Sequence, residues 1–136
     1  YTPSSALHLA LFTGTASTVL AALESGTNAN SSGNWGYHEV VSYGTDSSSS
    51  GYTRKPVNFN TASGGSATNN GNVTFPAATS NYTNSSGGGS TVTCIAVMDA
   101  ATDGNVLFYG QLNSSKEILN GDTFQISDAN LTISLA

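Results

Sequence analysis

A chain of 136 residues is the size of one domain and can bury about two thirds of its unfolded surface around a single core, so it needs no disulfide to fold. Three Lys or Arg against eight Asp or Glu give a formal charge of −5 with 8% charged residues, which leaves no basic stripe for phosphates and argues against nucleic acid as a partner. No apolar stretch approaches the ~20 residues that cross a bilayer, and the first residues lack the basic and hydrophobic regions of a signal peptide, so no membrane partner is expected.

Leu7, Leu9 and Leu11 alternate, which predicts a strand over residues 5–12 with one buried face, ended by Thr13-Gly14. Val19, Leu20 and Leu23 share a helical face over residues 16–24 and Gly26 follows, so one short helix fits there, although a segment of that length needs tertiary packing to hold. After a polar stretch, residues 35–43 read as a strand carrying Trp35, Tyr37 and Tyr43, before four consecutive serines interrupt it.

Alternation resumes with Val57 and Phe59, and Pro56, which has no amide donor, implies that the strand lies at an edge or begins near that point. Residues 61–71 read as a polar connection, and Val73 and Phe75 then share the face of a further strand. The Gly/Ser run at 85–90 reads as a loop inside the domain, because strand signals restart at Thr91.

Residues 91–98 and 106–112 predict two adjacent strands joined by a turn at Asp99-Ala100-Ala101-Thr102-Asp103-Gly104-Asn105, with Phe108 expected in the core. Strands at 123–126 and 131–135 complete the pattern. The expected fold is all-β: one antiparallel, jelly-roll-like β-sandwich domain over residues 1–136, with about seven or eight strands, long polar loops and room for one short helix.

Chemistry-bearing patterns are sparse. His8 and His38 belong to no HExxH or close His/Cys pair, and Cys94 sits alone in an apolar run where a buried small hydrophobe fits best, so neither a metal nor another cofactor is expected. Asp99, Asp103, Asp122 and Asp128 lie beside Gly or Asn, as turn residues do, and no serine sits in a Gly-x-Ser-x-Gly elbow. No catalytic residue is nominated and no enzymatic activity is expected. The aromatic set Trp35, Tyr37, Tyr43, Tyr52 and Tyr82 supplies the candidate protein-interface residues, with sugar stacking as the alternative use and core packing as the plain one.

Leu7-His8-Leu9-Ala10-Leu11-Phe12-Thr13, Gly51-Tyr52-Thr53-Arg54-Lys55-Pro56-Val57-Asn58-Phe59, Thr74-Phe75-Pro76-Ala77-Ala78-Thr79 and the run from Met98 to Gly110 together resemble a family of small bacteriophage structural proteins, tail-fibre-like, that includes capsid decoration or cement proteins. Gly121-Asp122-Thr123-Phe124 and Leu131-Thr132-Ile133-Ser134-Leu135 extend the likeness, which spans most of the chain outside a variable Trp/Tyr-bearing insertion at about 14–50. The resemblance implies a non-enzymatic virion protein with a sandwich-like fold. With no fibre shaft in the sequence, the expectation tilts to a cement protein on the outer capsid surface that bridges and stabilises the major capsid protein, with a homotrimer as a plausible form. The alternative is a tail or tail-fibre domain that binds host-surface glycan.

Overall fold

The computed structural model describes residues 7–41, 48–87 and 89–134. Its elements in chain order are β1 (Leu7–Thr13), α1 (Ala16–Ser25), a 3₁₀ turn (Trp35–Tyr37), β2 (Lys55–Val57), β3 (Ser66–Thr68), β4 (Val73–Thr74), β5 (Thr91–Met98), β6 (Val106–Glu117), β7 (Gln125–Ile126) and β8 (Thr132–Ser134). Four strands form one antiparallel sheet in the order β2-β1-β5-β6, while β3 pairs with β8 and β4 with β7 in two antiparallel ribbons.

The two central strands explain the layering. Because β1 and β5 are apolar on both faces, the sheet has to be covered twice. On one face Ala10, Phe12, Cys94, Ala96 and Met98 pack under Val19 and Leu23 of α1 and the Trp35 ring, whose edge meets Phe12 at 6.4 Å between centroids. On the other face Leu9, Leu11, Ile95 and Val97 pack against Tyr52, Phe75, Tyr82, Ile118 and Phe124. Tyr52 stacks on Phe75, and Phe75 meets Phe124 edge-on, both at 5.8 Å. Two-stranded ribbons are marginal by themselves, and here this aromatic chain holds them to the sheet. The architecture is therefore all-β, antiparallel and sandwich-like, with ribbons in place of a second continuous sheet.

The helix forms where the apolar spacing places it and stops at Gly26, whose φ of +70° suits a left-handed cap and whose N–H donates to the Leu23 carbonyl at 3.1 Å. The strand expected over 35–43 does not form. Trp35–Tyr37 is a 3₁₀ turn, and beyond it the chain only brushes β1: Thr13 N–H donates to the His38 carbonyl, and Val40 N–H to the Leu11 carbonyl. The indole of Trp35 turns inward to fill the helix layer, which curls the backbone that would otherwise extend. The remainder of that expected strand, Tyr43 included, lies outside the described residues.

Strands β3 and β6 also differ from expectation. The polar connection at 61–71 contains β3, and the strand expected over 106–112 continues to Glu117. Phe108, expected in the core, is only half-buried, because β6 is an outer strand of the sheet and the ribbons cover its inner face incompletely.

The Tyr82 ring is buried and its hydroxyl has no hydrogen-bond partner among the described residues, while burial raises its pKa to about 12. Burial, and then the nearby Glu39 carboxylate, also raise Tyr52 well above the ordinary tyrosine value. A tyrosine whose folded pKa is raised contributes stability that is complete below pH ~10 and is lost as pH rises, since only the unfolded chain then ionises readily. Thermal melts should therefore show stability declining between pH 10 and 12. Tyr82→Phe should melt no lower than wild type at pH 7 and should show a shallower alkaline decline.

Candidate functional site

The incomplete cover of β6 leaves an open cleft between its inner face and β8 with the turn before it. In the apolar half, about 210 Å³, Phe108 and Gly110 of β6 face Leu131 and Ile133, over a floor that includes Ile95 and Val97. The polar half, about 510 Å³, adjoins it through Ile95, Gln111, Leu131 and Thr132. Gln111, Asn113, Ser114 and Lys116 line one side of that half, with Gln125, Ser127 and Asn130 on the other and Phe124 and Ile126 among its apolar residues.

Local chemistry fixes both walls. On the β6 side the register with β5 runs regularly from Val97↔Phe108 to Cys94↔Gln111 and then jumps, so that Val92 faces Lys116 and residues 112–115 form a bulge. On the other side one buried amide organises the turn at 127–131. Asn69 Nδ2 donates to the Ser127 carbonyl at 3.1 Å, and its Oδ1 accepts from Leu131 N–H at 2.8 Å. Asp128 adds a clamp, accepting from Gly71 N–H at 2.7 Å while its own N–H donates to Asn72 Oδ1 at 2.8 Å. The wall opposite β6 is thus held by the β3–β4 connection, which read in sequence as a featureless polar loop.

The described aromatic candidates do not line this cleft. Trp35, Tyr52 and Tyr82 retain 1%, 4% and 2% of their accessible surface and serve the interior. Tyr37 is half-buried and sets its ring edge-on to His38 at 5.4 Å. Tyr43 lies outside the described residues. Among the described residues the exposed large ring is Tyr109, 43% accessible, on β6.

Tyr52 belongs to a buried polar cluster that spacing alone did not reveal. Its hydroxyl accepts from Leu11 N–H at 3.1 Å and donates to Glu39 Oε2 at 2.9 Å. Arg54 grips the same carboxylate with two prongs, Nε to Oε2 and Nη2 to Oε1, each at 2.8 Å. Its Nη1 donates to the carbonyls of Ala100 and Asp103, and the guanidinium lies 5.7 Å from the centre of the Trp35 ring. The small void beside the cluster, about 20 Å³, has room for no more than a water, which makes the cluster a brace and not a ligand site.

Of the turn carboxylates, Asp99 and Asp122 act locally, whereas Asp103 and Asp128 accept from the distant Asn28 and Gly71. Asp99 accepts from Asn105 N–H at 2.7 Å and from its Nδ2 at 3.0 Å, and these bonds hold the carboxyl below its ordinary pKa. Gly104, at φ +73°, closes that turn where a Cβ would collide with the Asp99 carboxylate. Burial raises the Cys94 thiol, the opposite of what a reactive thiolate requires. Among the described residues no group of three or more His, Cys, Asp or Glu comes together to hold a metal ion.

Breaking a buried pair strands the remaining charge, so Arg54→Met, which leaves Glu39 in the interior, should cost about 3–5 kcal/mol in urea unfolding. Lys116→Met, removing an exposed charge, should change stability by less than about 1 kcal/mol in the same measurement.

Two comparisons with known proteins were informative about the chain as a whole. A family model described as Podophage GP4 fiber I protein gp80 matches residues 1–134, essentially the whole chain. No curated protein matches.

Proposed function

The chain belongs to the podophage GP4 fiber I protein gp80 family, which makes it a phage structural protein of the tail-fibre type, and on that premise we propose that it serves in the fibre as a non-enzymatic binding subunit whose polar cleft engages saccharide on the host surface. The expectation of a cement protein on the head, with the major capsid protein as its partner, draws no support from a fibre family. The alternative weighed beside it is a tail or tail-fibre domain that binds host-surface glycan, and this membership favours its fibre part.

The observation that carries the reading is the make-up of the polar half of the cleft. Amides at Asn113, Gln125 and Asn130 and hydroxyls at Ser114, Ser127 and Thr132 line it beside Ile126, Leu131 and Phe124. Amides offer both donors and acceptors to sugar hydroxyls, while the apolar carbons accept the C–H faces of a pyranose. At about 510 Å³ the space suits one or two sugar units. A single shallow site of this kind binds weakly, and a fibre that repeats it gains avidity from the copies.

Purified protein should bind host surface polysaccharide in a biosensor or saturation-transfer NMR experiment. Asn113→Ala combined with Gln125→Ala should weaken that binding about tenfold or more, at roughly 1 kcal/mol per lost hydrogen bond, without lowering the melting temperature. Equal binding by the double variant would remove the cleft from the account.

A further inference from the structure

The chain holds three basic side chains, and the places of two of them explain them. Arg54 is buried in the brace with Glu39. Lys55 stands on β2, at the edge of the sheet opposite β6. Lys116 is left, and it lines the polar half of the cleft. It is exposed, and among the described residues no carboxylate pairs with it.

The plain use of an exposed lysine is a solvated surface charge. The surroundings of Lys116 argue for more. No described Asp or Glu lines either half of the cleft, although the chain carries eight of them. The acidic residues next to it in sequence and across the cleft are directed elsewhere. Lys116 lies opposite Val92, which packs on the ribbon side of the sheet, so the following residue, Glu117, opposite Thr91, falls on the other face. Asp128, in the turn across the cleft, accepts from Gly71 N–H, and Asp122 accepts from Leu119 N–H. Asp99 and Asp103 belong to the turn at the opposite end of β6.

The backbone before Lys116 adds donors. The register passes from Cys94↔Gln111 to Val92↔Lys116, so residues 112–115 have no partner in β5 and the ladder breaks immediately before the lysine. Amide N–H groups taken out of a ladder can donate to a ligand, as can the side-chain amide of Asn113 and the hydroxyl of Ser114 in the same bulge. An ammonium among neutral donors, with no carboxylate competing for it, is set to receive an anion.

We propose that the polar half of the cleft selects saccharide carrying an anionic group, a carboxylate or a phosphate, and that Lys116 is the residue that sets this preference. The inference rests on the saccharide reading of the cleft and names the class of sugar that it takes. The ammonium meets the anionic group, while Asn113, Gln125 and Asn130 bond to ring hydroxyls. The net charge of −5 does not prevent this. At physiological ionic strength the screening length is about 8 Å, so distant carboxylates fade while a contact at hydrogen-bond distance keeps its strength. One exposed ion pair is modest, so the preference should be about three- to tenfold and not absolute.

The test applies purified protein, at about 0.15 M salt, to an array of neutral, uronate-bearing and phosphate-bearing bacterial surface polysaccharides. Each acidic polymer is also printed in a neutralised form, after carbodiimide–borohydride reduction of its carboxyls or enzymatic removal of its phosphates. Acidic polymers should bind about three- to tenfold more strongly than their neutralised forms. Loss on carboxyl reduction identifies carboxylate as the recognised group, and loss on phosphate removal identifies phosphate. Lys116→Met should bring the ratio close to one, whereas Lys116→Arg, which keeps the charge, should preserve most of it. Should Lys116→Met melt lower than wild type, the comparison of native and neutralised polymers on the unsubstituted protein decides alone. A ratio near one in the unsubstituted protein, or a preference that a stably folded Lys116→Met retains, overturns the proposal and leaves saccharide binding in place. Binding to no polymer on the array overturns both.

Discussion

The Glu39 carboxylate and the Arg54 guanidinium tie together parts of the chain that secondary structure leaves separate. Glu39 follows the 3₁₀ turn, Arg54 precedes β2, and the carbonyls of Ala100 and Asp103 belong to the β5–β6 turn. Taking both charges out of water is costly and is offset here because each has several partners: the carboxylate meets Arg54 twice and Tyr52 once, and the guanidinium also reaches two carbonyls and lies near Trp35. A pair of this kind contributes specificity of arrangement more than net stability. It sets where the helix layer ends, holds Tyr52 over Phe75, and fixes the turn from which β6 departs.

From that turn the functional surface arises by geometry. A sheet with two apolar faces has to be covered by a helix on one side and by strands on the other, and a chain of this length covers the centre better than the margin. The ribbons seal β1 and β5 but stop short of β6. The margin becomes a cleft, apolar where Phe108 and Ile133 face it and polar where Asn113 and Gln125 do. The same shortfall leaves the outer edge of β6 open. The saccharide contact proposed for the cleft would draw on the side chains of its polar half.

Much of this was legible in the residues. The run at 91–98 marked β5 as a strand, and Val19, Leu23 and Gly26 marked α1 and its end. Long-range pairing was less visible. β3 is Ser66, Ala67 and Thr68, too polar and too short to announce a strand, and it exists because Asn69 grips the turn before β8. Residues 35–43 had the composition of a strand, but a buried indole outweighed that preference. For the same reason the aromatic residues were poor guides to the surface: a small core needs large rings, and Trp35, Tyr52 and Tyr82 fill it. The cleft left a fainter trace, the unguarded run from Val106 to Ser115 with Gly110 inside it, which contrasts with the Lys-Pro of the opposite edge. Placement on a fibre rather than the head shell came from family membership and not from any residue pattern.

The most direct measurement is a cryo-electron-microscopy map of intact virions with this chain fitted into it. The account predicts density for the chain within the fibres, its polar cleft facing outward and free of other virion proteins. Density confined to the head lattice, or a cleft filled by another virion protein, would contradict it.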